Sequence, residues 1–390
     1  MSIKRKAYIV GAWEHPTRLA PEKSIPQLHA ECAAGALVDA GLSASDVDGY
    51  FCAGDAPGGS PLYFADYLGL QKLTWIDGTE VGGCSYITHV GHAAAAIAAG
   101  KCSIALITLA GKPRSSGQAT GSVPLPIAPE RPSSPWESGY RWTIGGLYAM
   151  LMQRHMAEYG TSLEQLAWVK VAASHHAQYN PHAMLPKRLS IDDVMSSPII
   201  STPLRRHDCC VISDGGGALI LARPEIARQL QRPLIPVLGH GETVKTTSGG
   251  YSNFLETGAR ISGATAFTEA GITQNNVRYA SIYDNFTIMV IMQLEDLGFC
   301  SKGEGGYFVE NGGLISGQGV LPCNTDGGGL CNNHPQNRGG ITKVIEAVRQ
   351  LRGEAHPATQ VTNCDLAIAS GPGQVMSDGH AHSTIVLGRE

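Results

Sequence analysis

Apolar positions along the chain fall into two periods. Runs at 7–11, 104–109, 218–222, 234–238, 366–369 and 384–387 are short, continuous and rich in aliphatic residues, as expected of strands buried on both faces. Elsewhere apolar residues recur at helical spacing: Leu28, Cys32 and Leu37; Ile261, Ala264 and Phe267; Ile341, Val344, Ile345, Val348 and Leu351. An alanine-rich stretch at 86–99, closed by Gly100, predicts one more helix. Runs at 49–53 and 279–283 read as further strands.

The elements repeat. Asp39-Ala40-Gly41-Leu42-Ser43, running on to Val47, is matched by Glu269-Ala270-Gly271-Ile272-Thr273, running on to Val277. Each copy closes a helix with an Ala-Gly stop, follows a strand (7–11 or 234–238) and leads into another (49–53 or 279–283). The order then continues in parallel: Gly82-Gly83-Cys84 precedes helix 86–99 and strand 104–109, and His334 precedes helix 342–351 and strands 366–369 and 384–387. Strand–helix alternation predicts an α/β fold, with sheets covered by helices on both faces. A duplicated unit would stack two such sheets around shared helices. The halves are placed at 1–235 and 236–390. Residues 112–200 break the pattern with a Ser/Gly/Pro-rich loop at 115–135 and helical stretches at 147–159 and 163–176. This insertion is expected to act as a lid over one face.

Composition narrows the function. With 43% hydrophobic and 16% charged residues and a net charge of −4, the 390-residue chain reads as a well-buried globular protein without a nucleic-acid footprint. It shows neither a secretory leader pattern nor an apolar run that could span a bilayer, and is expected to be cytoplasmic. The ten cysteines form no C-x-x-C pair, so no zinc site is expected within the chain and most should be buried small hydrophobes.

Candidate chemistry gathers where strands end and helices begin. The stretch from Asn324 to Pro335, N-T-D-G-G-G-L-C-N-N-H-P, brings backbone close to a ligand and ends on a histidine just before a helix. Cys84 opens the alanine-rich helix, where the helix N-terminus would favour a thiolate. Stacked half on half, Cys84 and His334 would meet as an activated nucleophile. Asn324, Asp326, Gly327, Gly328 and Asn333 would form a loop offering donors to an oxyanion. Tyr283-Asp284-Asn285-Phe286 and Ser370-Gly371-Pro372 stand at two further strand ends, which puts Tyr283 and Gly371 within reach of the same place. Asp214 reads as a turn residue, and His89 and His92 as core or interface residues.

Asn324–Pro335 resembles the N-x-N-G-G-x-x-x-x-G-H-P motif of thiolases, with Asp326 for the second Asn and Asn333 for the Gly before His334. H-D-C-C-x-x-S-D-G-G-G-A from His207, Y-D-x-F-T from Tyr283, L-E-D-L-G-F-C from Leu294 and K-G-E-G-G from Lys302 extend the likeness. The whole chain is similar to the thiolase superfamily, in its bacterial thiolase-like branch near the sterol-carrier-protein thiolases. The resemblance implies a five-layered αβαβα arrangement of two βαβαβ halves. It also implies coenzyme A as co-substrate, no permanently bound cofactor or metal, a homodimer and a small zinc-ribbon/OB-fold partner subunit. The implied activity is that of an acyl-CoA C-acyltransferase: thiolysis or Claisen condensation of a bulky, branched or aromatic 3-oxoacyl-CoA such as benzoylsuccinyl-CoA. Cys84 would carry the acyl group and His334 would activate it.

Three departures keep other readings open. Counted back from Gly100, the family's nucleophile falls on Gly83 rather than Cys84. Tyr283 stands where the family has an Asn or His, and Ala369 where it has a second cysteine. These imply, as alternatives, a retro-aldolase acting on a 3-hydroxyacyl-CoA or a non-catalytic scaffold for a partner. The uncharged run 104–109 is expected at an open sheet edge through which two copies pair.

Overall fold

The computed structural model describes residues 2–53, 59–121, 143–246, 253–335, 339–374, 376 and 380–390. The first half contains β1 (Tyr8–Glu14), α1 (Ile25–Ala40), β2 (Gly49–Phe51), β3 (Trp75–Asp77), α2 (Ser85–Ala98) and β4 (Ile104–Gly111). Two helices of the insertion follow, α3 (Ile144–Tyr159) and α4 (Leu163–Ala177), then β5 (Gly215–Ala222). The second half contains β6 (Ile235–Lys245), α5 (Ala259–Ala270), β7 (Tyr279–Ile282), α6 (Thr287–Asp296), α7 (Gly340–Arg352), β8 (Leu366–Gly373) and β9 (His380–Gly388).

The strands run in the order β3-β2-β4-β5-β1-β6-β9-β8-β7. In both halves the inner two pairings are antiparallel (β1–β5–β4 and β6–β9–β8), and the next is parallel (β4–β2 and β8–β7). This shared order and sense is the duplication expressed in three dimensions. The sheets of the two halves pair through a short register, Tyr8↔Pro236 and Ile9↔Ile235. Both Ala-Gly stops are realised as left-handed caps, Gly41 at φ 69° and Gly271 at φ 69°, the conformation for which glycine carries no Cβ penalty.

Helices α2 and α7 touch strands of both halves and each other, whereas α1 packs on β1, β4 and β5 and α5 on β6, β8 and β9. The layers are therefore α1, first sheet, α2 with α7, second sheet, α5. A helix between two sheets has no solvent face. Accordingly α2 is apolar nearly all round, and Gly91 lies so close to His240 that a Cβ would sit 2.2 Å from its ring. In α7 the polar face is buried as well: Lys343, Glu346, Gln350 and Arg352 are all under 10% exposed. Each of them finds a protein partner.

Two expectations need correction or limits. The run 104–109 is not an edge: β4 is paired on both sides, by β2 and β5. Among the described residues the outermost strand of that half is β3, where Trp75 and Ile76 are 38% and 43% exposed, while the β7 end is covered by the 322–324 segment through Ala280 and Ile282. The Ser/Gly/Pro-rich loop at 115–135 lies outside the described residues from 122 onward, so the lid expected of 112–200 is seen only in α3, α4 and their connections. None of the ten cysteines forms a disulfide. No helix among the described residues is long and apolar enough to cross a membrane, and no metal-holding cluster of His, Cys, Asp or Glu occurs among them.

Candidate active site

Four chain segments converge where the parallel strands β7 and β8 end and α2 and α7 begin, the place where α/β sheets present side chains to ligands. Tyr283 directly follows β7, and its amide N–H donates to Ser370 O at 2.8 Å, which locks it to β8. Gly371 is what permits this, because a Cβ there would lie 2.6 Å from Tyr283 Cβ. The Tyr283 hydroxyl lies 2.8 Å from His334 Nε2. The N–H of Gly339, at the N-terminus of α7, donates to the same oxygen at 3.3 Å. An oxygen that already accepts from an amide is best satisfied by donating its own proton to the imidazole. His334 then carries hydrogen on Nδ1, which is buried with no partner among the described residues.

Both groups are neutral at rest. Burial pushes the Tyr283 phenol well above its ordinary value. Burial lowers His334 to about 4, Asp284 opposing and Lys343 adding to the shift. The unprotonated imidazole can accept a proton, and the α7 N-terminus favours negative charge on the phenolic oxygen.

His334 is found where the motif placed it, but Cys84 does not join it. Gly83 faces the dyad instead: a Cβ at that position would lie 3.0 Å from Tyr283 Oη. The Cys84 thiol rests against Gly373, 2.8 Å from where a Cβ there would be, and 3.7 Å from Val81 O. No hydrogen bond links it to His334 among the described residues. The expected thiolate is also reversed, because burial raises the Cys84 pKa far above that of a free thiol. A helix N-terminus contributes a fraction of what full desolvation costs.

The loop expected to offer oxyanion donors is committed to bracing itself. Asn324 uses its amide on the backbone of Ile282, 2.8 Å in each direction. Asp326 accepts from Gly328 N and Asn332 Nδ2 at 2.9 and 2.8 Å. The Gly329 and Leu330 N–H groups donate to Asp284, at 2.8 and 3.2 Å, and Gly327 N–H donates to Asn324 O. Gly328, at φ 61°, admits Asp284 so closely that a Cβ would lie 2.1 Å from its carboxylate. Asn333 donates to Glu14. In this structure these groups are engaged in holding the loop that leads to His334.

Lys343 was not foreseen. Its ammonium lies 2.6 Å from Asp284, both buried, and this pair pins the glycine loop to α7. Helical periodicity assigns Lys343 to the polar face, so nothing in the pattern marks it as buried. Ser213, the residue before Asp214, accepts the His334 N–H at 2.9 Å. Asp214 is a brace, accepting from Ala20 N at 2.9 Å and Ser115 N at 3.0 Å. His92 bridges Asp77 (2.9 Å) and Glu242 (3.4 Å) between the halves, and His89 is buried against Phe51 and Tyr86.

Burial of histidines has a consequence for stability. Burial lowers His334, His176, His89 and His240 to about 4 and His29 to about 3. Between these values and the unfolded value near 6.5 the unfolded chain binds the extra protons. The share of stability that depends on these five neutral histidines should thus be complete above about pH 6.5 and fall on acidification toward pH 4, by up to roughly 1.4 kcal/mol per pH unit for each such group. His92, raised to about 9 against its burial by Asp77 and Glu242, contributes in the opposite sense, with stability lost as pH rises toward 9. Urea midpoints at pH 7 and pH 5 measure this; an unchanged midpoint contradicts it.

Comparison with known proteins agrees with this architecture. Residues 241–389 match the thiolase C-terminal domain-like family. The chain is 32% identical to a steroid side-chain-cleaving aldolase of Thermomonospora curvata over 370 residues, which is 88% of this chain and 90% of that protein. It is 36% identical to an acetyl-CoA acetyltransferase of Methanothermobacter thermautotrophicus over 60% of this chain, a match that spans 61% of that protein's length. Among solved structures, the Ltp2-ChsH2(DUF35) aldolase superposes with a TM-score of 0.88 at 28% identity, covering 99% of this chain and 98% of that one. The duplicated fold, the loop that ends in His334 and these relatives put the chain in the thiolase superfamily: it is a thiolase-type enzyme, of the superfamily that contains the acyl-CoA C-acyltransferases, which use coenzyme A as co-substrate.

Proposed function

We propose that the chain cleaves the Cα–Cβ bond of a bulky 3-hydroxyacyl-coenzyme A by a retro-aldol route that forms no acyl-enzyme. One observation carries this reading: Tyr283 and His334 form a hydrogen-bonded acid–base pair, and the residue facing them is Gly83, which has no nucleophile. The substrate's 3-hydroxyl gives its proton to Tyr283 Oη as Tyr283 passes its own to His334 Nε2. The Cβ–O bond becomes a carbonyl, the Cα–Cβ bond breaks, and its electron pair becomes the enolate of the shortened acyl-CoA. Return of the proton from the dyad to Cα completes the balance, releasing an aldehyde or ketone. Amide N–H groups at the start of α7 are available to the negative charge that passes through the site.

Thiolysis of a bulky 3-oxoacyl-CoA is the second reading, favoured by one feature: Cys84 adjoins Gly83 at the start of α2. Cys84→Ala decides between them. Under the retro-aldol reading it retains turnover within about threefold. A loss of several orders of magnitude, with an acyl adduct on Cys84 in the parent protein, would establish thiolysis instead.

The working assembly is proposed to be a homodimer joined along the open β3 edge, together with a small zinc-ribbon/OB-fold subunit. Exposed Leu62, Tyr63 and Tyr67 beside Trp75 and Ile76 support the first part. The two-component aldolase among the structural neighbours supports the second.

A further inference from the structure

The two residues before His334 are gripped by a side chain from the opposite half of the duplication. Glu14 ends β1, and its side chain is 9% exposed. Its carboxylate accepts from Asn333 Nδ2 and, at 3.2 Å, from Asn332 Nδ2. Arg18 Nη2 donates to it at 2.6 Å and Arg349 Nη2 at 3.4 Å. Arg18 reaches over the same asparagine, donating to Asn332 Oδ1 at 2.7 Å and to Asn332 O at 3.2 Å. Both asparagines are nearly inaccessible, at 0% and 2% exposure.

We propose that Glu14 is a positioning residue for His334, a clamp from the first half that sets where the imidazole stands relative to Tyr283. This rests on the reading of His334 as the proton acceptor. Ser213 fixes the His334 backbone N–H, and Glu14 with Arg18 fixes the two residues before it, so the ring is carried on a segment held at consecutive positions. Without Glu14, Asn333 Nδ2 loses its acceptor and Asn332 Nδ2 keeps Asp326, so the segment before His334 is held less tightly. Misplacement of a catalytic group by about 1 Å costs on the order of 10² in rate.

The test pairs a kinetic with a non-kinetic measurement. Glu14→Ala should lower kcat by on the order of 10² while KM stays within about threefold, and Glu14→Gln, which keeps an oxygen for the asparagines, should recover most of the loss. Backbone hydrogen exchange over 324–335 should rise in Glu14→Ala while that of α1 does not. If Glu14→Ala fails to fold, the exchange measurement passes to Glu14→Gln, where a smaller rise in the same segment is expected. Unchanged exchange over 324–335, or a kcat within about threefold of the parent, overturns the clamp. Raised exchange in a protein whose parent form does not cleave 3-hydroxyacyl-CoA supports the clamp and rejects the retro-aldol reading.

Discussion

Tyr283→Phe should lower turnover by roughly 10²–10⁴-fold, the range for loss of one general acid–base group. The substitution removes a single oxygen, and that oxygen is where the site converges: it contacts His334 Nε2 at 2.8 Å and Gly339 N at 3.3 Å. The ring stays packed against Gly371 and Gly83, so the fold should survive. The orphaned amide and imidazole should cost about 1–3 kcal/mol of stability. Steady-state kinetics with a matched denaturation curve measures both. A rate within about tenfold of the parent would show that the phenol is not in the proton path.

Lys343→Met should destabilise the protein by about 3–5 kcal/mol, because removing one partner of a buried ion pair strands the other charge. Asp284 is 1% exposed and, among the described residues, would keep the Gly329 and Leu330 amides as its partners. Asp284→Asn combined with Lys343→Met should recover part of the loss, since no net charge is then buried. Denaturant midpoints of the single and double variants test this; a single variant within about 1 kcal/mol of the parent contradicts it.

Much of this fold could be read in the chain. Paired Ala-Gly stops, strand runs of matching order and the Cys84 and His334 helix starts are local patterns, and local patterns survive folding. The layer order followed, because a duplicated unit with two apolar sheet faces has few ways to bury both. The misreadings came from burial. Periodicity treats the polar face of α7 as solvent, but a helix between two sheets has no solvent face, so Lys343 was missed. The run 104–109 lacks the charges that protect an edge, yet a strand paired on both sides lacks them as well. At the site, His334 and Tyr283 were found from motif and strand end. Cys84 was favoured for its helix start, although counting back from Gly100 had already pointed to Gly83, the residue that faces the dyad. The bracing by Glu14 and Asp284 joins residues hundreds of positions apart in one case and dozens in the other, and no short-range pattern encodes such contacts.

The proposed retro-aldol route needs no attacking thiol, from the protein or from solution. It is tested most directly by offering a 3-hydroxyacyl-CoA to the assembled protein in buffer freed of coenzyme A and following both products. Equal amounts of aldehyde or ketone and of shortened acyl-CoA are expected, at a rate that added coenzyme A does not raise. Strict dependence on coenzyme A, with product formed only from the 3-oxoacyl-CoA, would contradict it.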